Sequence, residues 1–409
     1  MNIQTNSQMI AKGSSYKWYI LTLSALTEIF VLSVPLQCMP VLFEEISNDM
    51  GLSVTQVGTI WGLTALGGLL IAMLSGAIAD KFGVKRTLSA ICFLTGILGA
   101  ARALSFNFTS LAILVFMFGI ITYSVSVVSF KPVSEWFTGK QLVWANACLT
   151  LSVALGATLS SAISATIVSP LLDGWRHVLV FYGILAFLIG IPWSMSRSTV
   201  YTHQVTKISN NIPLNQSLSY VIRNKTIWFF GFIFLAQAAC RNGVNGYLAL
   251  YLRNIGQTVN VASYTTAAIP AASIVGVLLI VILSSRLHSK KLIIYIAMAL
   301  SGIGSFLIAF AIPDLILLGA ILIGFVWEGF MTMMFSSIIE IEGIGARYSG
   351  TAIGLVFTLG LIGNVVSPNI GNRIASINPS GAFVFWGSLP IAMLFIFFIR
   401  WLSIRGKTR

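Results

Sequence analysis

Charge is what this sequence has least of. Only 9% of its 409 residues are Asp, Glu, Lys or Arg, against about a quarter in an average soluble domain, which excludes an ordinary water-soluble fold. Histidine is nearly absent too. His177, His203 and His288 lie in loops far apart in sequence, and none belongs to an HExxH pattern, so a zinc enzyme of that kind is excluded. Four cysteines, Cys38, Cys92, Cys148 and Cys240, sit inside apolar runs without CxxC spacing. They read as packing residues, and no metal site is expected. A phosphate-cradling GxxxxGK[ST] loop is missing, because Ser134 stands where the glycine ahead of Gly139-Lys140 belongs. Neither a nucleotide-driven pump nor a cofactor is expected. The net charge of +13 would raise the question of nucleic acid in a soluble protein. Here the basic residues are scattered between apolar runs, so the expected surroundings are a lipid bilayer and not a polyanion.

What the sequence does have is apolar length. Hydrophobic residues make up 57% of the chain, and a membrane-crossing helix needs ~20 of them in a row. Runs broken by charge, Gly, Pro or polar clusters place six helices at roughly 18–42, 55–79, 86–104, 109–133, 142–168 and 177–196. Six more follow at roughly 227–252, 260–285, 291–311, 315–338, 347–371 and 381–402. The expected fold is an all-α integral membrane protein, twelve transmembrane helices in two pseudo-symmetric six-helix bundles. Residues 1–196 form the first bundle, 197–225 a polar cytoplasmic linker and 226–409 the second bundle. The first apolar run is too long for a cleaved signal peptide and is expected to be retained as a span.

Orientation follows from counting Lys and Arg, which favour cytoplasmic loops. With the N-terminus inside, nineteen of the 24 fall on the inner side and four, Arg102, Arg176, Arg253 and Arg373, on the outer. One, Arg241, lies within a span. Both termini are therefore expected in the cytoplasm of a plasma (inner) membrane protein, functioning as a monomer.

The halves overlay with an offset near 205. Gly156 falls on Gly360, Ser160 on Asn364 and Ser164 on Pro368. Internal repeats of this kind mark secondary transporters, whose substrates bind midway through the bilayer between the repeats. The segment Gly76-Ala77-Ile78-Ala79-Asp80-Lys81-Phe82-Gly83-Val84-Lys85-Arg86 resembles the signature loop between helices two and three of the major facilitator superfamily. Glu135-Trp136-Phe137 with Lys140, and Asp173-Gly174-Trp175-Arg176, support the resemblance more weakly. Among subfamilies the chain looks most like the anion:cation symporters and cyanate-transporter-like proteins. Departures are visible: Val115 stands where an Arg often precedes the Gly119 position, and Leu155-Gly156-Ala157-Thr158 lacks the Gly-Pro pattern of drug/proton antiporters. The second copy of the loop has Ser285 at the place of Asp80 and His288 at that of Gly83. The resemblance implies that helices one, four, seven and ten line a central cavity, and that Asp80, Gly76, Gly83, Lys85 and Arg86 latch a cytoplasmic gate.

Ionisable groups in mid-bilayer cost at least ~2.5–3.5 kcal/mol each and are functional candidates by default. Three stand near span centres: Glu28, Arg241 and Glu328. Arg241 shares a polar stripe with Gln237 and Asn245 at four-residue spacing, widened by Asn242. Its planar fork of donors suits a carboxylate, phosphate or similar oxyanion, although a purely structural pair with Glu28 or Glu328 is the other reading. Either glutamate can load and release a coupling proton. In helix four, Tyr123, Ser126 and Phe130 share a face, and Tyr123 with Asn364 of helix eleven is expected to shape the site. Lys131 is expected to snorkel to the interface. The function these residues point to is secondary active transport, proton-coupled uptake of a small organic or inorganic anion by alternating access. The rival reading is proton-driven export of amphipathic compounds.

Overall fold

The structure, a computed structural model, describes residues 3–196, 214–284, 290–341 and 343–405. Among these no strand occurs, and ten helices are long and apolar enough to cross a membrane. In chain order we label the long helices α1 Ser15–Met50, α2 Val54–Phe82, α3 Val84–Leu104, α4 Phe108–Trp136, α5 Gln141–Leu172 and α6 Trp175–Met195. The second set is α7 Lys225–Asn254, α8 Val259–Ser284, α9 Lys290–Ala309, α10 Pro313–Ile339, α11 Gly345–Ala375 and α12 Gly381–Arg405. The expected linker falls partly on residues 197–213, outside the described residues, as does the loop 285–289 with Ser285 and His288. Its remainder contains a short helix, Leu214–Arg223.

Local sequence sets the helix boundaries. Ser53 and Gln56 form a reciprocal capping box at the start of α2, and Asn107 with Ser110 does the same for α4. The first helix continues well past the expected end near residue 42 and stops at Met50, where Gly51 takes a left-handed φ of 65°. The extension is polar because it has partners. Glu44 pairs with Arg253 at 2.5 Å, Asp49 with Arg176 at 2.8 Å, and Ser169 donates to Glu45 at 2.6 Å.

The sequence repeat reappears as repeated helix crossings. A Cβ on Gly119 of α4 would meet the carbonyl of Thr64 in α2 at 2.4 Å, and one on Gly324 of α10 would meet that of Ile269 in α8 at 1.9 Å. Both residues of the second contact lie 205 positions after those of the first. Likewise Gly156 abuts Ile29 of α1, and Gly360 abuts Phe234 of α7. Backbones approach this closely only where side chains are absent. Large apolar residues such as Leu70, Ile97 and Trp144 remain on the outside, as a lipid-facing surface requires.

A belt of polar contacts joins the first six helices to the last six at the end bearing Asp49. Gln37 of α1 donates to Asn245 of α7 at 2.9 Å, Thr59 of α2 to Asn369 of α11 at 2.7 Å, and the Trp61 indole to the Asn242 carbonyl at 3.0 Å. Asn372 donates to the Val54 carbonyl at 3.0 Å. Toward the other end of α11, a Cβ on Gly350 or Gly354 would meet nothing within 4 Å. The two sets are closed upon each other at the Asp49 end.

Candidate functional site

Helix α7 carries Arg241 into the middle of the molecule, on a rod that is apolar apart from its ends and the stripe of Gln237, Asn242 and Asn245. The guanidinium lies over the Trp327 ring of α10, 4.6 Å from its centroid, which offsets part of the cost of holding a cation there. Nε is buried and has no hydrogen-bond partner. Among the described residues no acceptor bonds the other guanidinium nitrogens, and no ion pair holds the group. Glu328, next to Trp327, and Tyr123 of α4 both lie within electrostatic reach of Arg241. Three helices, α4, α7 and α10, therefore bring Tyr123, Arg241 and Glu328 together. Stacking occupies a face of the guanidinium and leaves its donor edge without a protein acceptor, a geometry suited to an oxyanion.

The other members of the polar stripe diverge. Each four-residue step on a helix rotates by about 40°, so three positions in line in the sequence face different neighbours. Gln237 is fully buried; its amide donates to Ser301 of α9 at 2.5 Å, and its side-chain oxygen has no partner. Asn245 belongs to the closure at the Asp49 end through Gln37. Asn242 reaches across to α11, donating to the carbonyl of Asn364 at 3.1 Å. The side-chain oxygen of Asn364 is buried and unbonded, so Asn364 stands beside the stripe with acceptor capacity to spare.

Glu28 occupies a separate, fully buried place in α1. Pro35 has no N–H to give the preceding turn, and the helix widens into a π-helical turn at Glu28–Ser33 ahead of it. Gly156 of α5 packs against that turn. Ser129 of α4 donates to Oε1 of Glu28, while Oε2 is buried without a partner. Among the described residues no cation bonds it, so the expected alternative of a Glu28–Arg241 pair is not what the structure forms. Ser129 was not singled out by helical spacing. Helix α4 breaks at Tyr123-Ser124 and again at Ser129, which turns Ser129 toward α1 and leaves Ser126 exposed, bonded to the Tyr123 carbonyl at 2.8 Å. Clustered Ser and Tyr in an apolar run were the available signal for those breaks.

At the end opposite Asp49, Gly83 adopts φ +84° and makes the tight link from α2 to α3. The sequence expects Lys131 to snorkel to the interface and Asp80 to belong to the latch of a cytoplasmic gate. Lys131 Nζ donates to Asp80 at 2.6 Å and to the Gly76 carbonyl at 2.7 Å, joining α4 to α2. Lys85 is half-buried and Arg86 exposed. In the second half Lys290 bonds Ser336 at 2.7 Å and forms an ion pair with Glu340. Arg102, counted above with the outer loops, is wholly buried: it donates to the carbonyls of Pro35 at 3.0 Å and Gly99 at 3.2 Å, and lies over the Phe118 ring.

Comparison with known proteins adds to this geometry. A family model described as Major Facilitator Superfamily matches residues 21–368. The chain is similar to a hexuronate transporter of Bacillus subtilis (strain 168), 27% identical over 200 residues, 47% of this chain and 46% of the relative. It is similar as well to the 4-hydroxybenzoate transporter PcaK of Acinetobacter baylyi, 27% identical over 220 residues, 52% of this chain and 46% of the relative. The matched part is thus about half the length of these relatives. Among solved structures, a mutant of the nucleoside transporter NupG superposes with a TM-score of 0.79 at 12% identity, covering 93% of this chain and 98% of that one. At that identity the likeness speaks for the fold alone.

Proposed function

This chain belongs to the Major Facilitator Superfamily, and from that premise we propose that it is a secondary transporter taking up a small organic or inorganic anion together with protons. The observation that carries the reading is Arg241: a fixed cation within a membrane-spanning helix, lying over the Trp327 ring, with no acidic group or carbonyl among the described residues bonded to it. Relatives named for hexuronate and 4-hydroxybenzoate, both anions, support the same class. The substrate binds at Arg241 with Tyr123 and Asn364 beside it, between an N-terminal bundle and a C-terminal bundle.

Proton coupling falls to Glu28 or Glu328. Glu28 has an unbonded carboxyl oxygen where a proton can be held, and Glu328 faces Arg241 and so answers directly to the anion's arrival. The excess of Lys and Arg on one side supports an orientation in the plasma membrane with both termini in the cytoplasm. On that orientation the closed Asp49 end is outside, the Asp80–Lys131 pair is part of the cytoplasmic gate, and the two bundles rock about the Arg241 site.

The test is a proteoliposome uptake screen of small anions under an imposed pH gradient, repeated on Arg241→Gln. Accumulation driven by the gradient and abolished by the substitution, with the protein still folded by thermal unfolding, is the expected result. Undiminished uptake by Arg241→Gln overturns the reading.

A further inference from the structure

The surroundings of Arg241 are more selective than its charge alone. Trp327 is the inner-facing member of an aromatic cluster that continues away from the guanidinium. Phe234 of α7 lies 6.1 Å from Trp327 and 6.1 Å from Phe330, stacked on the latter, with Phe335 at 5.9 Å and Phe357 of α11 at 6.0 Å. Phe234 and Phe330 are buried, whereas Trp327, Phe335 and Phe357 retain exposure. Trp327 differs from the other interior tryptophans. The indole N–H groups of Trp61, Trp175, Trp193 and Trp386 each have a protein acceptor, and no described residue accepts from that of Trp327.

Polar capacity nearby is mostly committed. Gln237 is bonded to Ser301, Asn245 to Gln37, and the hydroxyl of Thr332 to the Glu328 carbonyl at 2.9 Å. What stays available around Arg241 is its donor fork, the Trp327 indole N–H, the Tyr123 hydroxyl, the Glu328 carboxylate and the side-chain oxygens of Gln237 and Asn364. A polyhydroxylated acid would set some of its hydroxyls against the apolar rings, where they find no partner. An inorganic oxyanion would satisfy the fork and leave the aromatic surface uncovered. A dicarboxylate would bring its second charge toward Glu328.

We propose that the anion recognised at Arg241 is an aromatic monocarboxylate, its carboxylate on the guanidinium edge and its ring against the exposed side of Trp327. This rests on the anion reading given above and narrows it. Ring-on-ring contact favours a flat π-face over a puckered ring of the same size, and the free indole N–H offers a donor to a polar ring substituent.

Binding to the protein purified in detergent separates the two levels. Isothermal titration calorimetry is run with benzoate, cyclohexanecarboxylate, glucuronate and nitrate on wild type, Arg241→Gln, Trp327→Leu and Trp327→Phe. Benzoate should bind most tightly, and Arg241→Gln should weaken it at least about tenfold. Trp327→Leu should weaken benzoate about three- to tenfold and by a larger factor than it weakens nitrate, while Trp327→Phe, which keeps a ring, should retain the preference over cyclohexanecarboxylate. If Trp327→Leu does not fold, the wild-type ranking and the phenylalanine variant decide. Equal binding of benzoate and cyclohexanecarboxylate overturns the aromatic assignment, as does tighter Arg241-dependent binding of glucuronate or nitrate, which leaves the anion reading standing. Benzoate binding unaffected by Arg241→Gln overturns both.

Discussion

Gln37 donates its amide to the side-chain oxygen of Asn245 at 2.9 Å, a buried hydrogen bond between the first and seventh helices. With the Glu44–Arg253 pair one to two turns farther along, it ties the two sets of six together at one end. Removing one partner strands a buried polar group at a cost of about 1–3 kcal/mol, and the stranded group regains water if the helices part. Asn245→Leu should therefore lengthen and broaden the distance between spin labels placed at exposed Asn48 and Asn254. An unchanged distribution would show that this bond does not hold the end closed.

The glycine crossings make a stability prediction that is independent of substrate. Gly324→Val drives a side chain into the Ile269 carbonyl, and Gly119→Val does the same to Thr64. Overpacking of this kind typically costs about 1–3 kcal/mol or more. Both variants should melt well below wild type in detergent, while Gly350→Ala, which has open space and gains helix propensity of up to about 1 kcal/mol, should melt at or above it. Equal melting of all three would contradict the crossings.

The Asp80–Lys131 pair is exposed on the Asp80 side, with 76% of that side chain accessible. Pairs of this kind contribute under about 1 kcal/mol. Asp80→Asn should leave thermal stability nearly unchanged and slow anion exchange across proteoliposomes, since its expected role is to favour one arrangement of the bundles. A large loss of stability with normal exchange would make the pair a folding contact.

For Glu28, glutamine keeps the acceptor to Ser129 and cannot lose a proton. Glu28→Gln is expected to fold, to exchange anion across the membrane with no gradient, and to lose accumulation driven by a pH gradient. The same measurements on Glu328→Gln identify which carboxyl carries the proton. Gradient-driven accumulation that survives in both variants would exclude both.

Arg241→Lys tests the fork against the charge. An ammonium keeps the positive charge but neither stacks flat on Trp327 nor offers two parallel donors. Anion affinity should fall about tenfold, a loss of roughly 1.4 kcal/mol, and full affinity would mean that charge alone is recognised.

Much of the fold is readable in the chain because a bilayer leaves few options. Each span must satisfy its backbone internally, so hydropathy places the helices to within a few residues, and the offset of 205 finds Gly119 and Gly324 as equivalent crossing points. The end of the first helix was misjudged because Glu44, Glu45 and Asp49 look like a loop until their partners on α5, α6 and α7 are known. The burial of Arg102 was not legible for the same reason, since carbonyls of Pro35 and Gly99 and the Phe118 ring surround it in place of water.

Taken alone, the sequence decided that this protein lies in a membrane, that it is helical and internally repeated, and that Glu28, Arg241 and Glu328 are its costly interior charges. Composition suffices for that, because burying charge in hydrocarbon is unfavourable whichever neighbour is found. Which neighbour each charge meets was decided by the tertiary structure. Along α4 each residue turns by about 100°, so Tyr123, Ser129 and Lys131 face different neighbours and meet Arg241, Glu28 and Asp80. Helical periodicity assigns each of these residues to a face of α4, but which helix stands opposite that face is set by packing between distant parts of the chain, which no spacing within one helix contains.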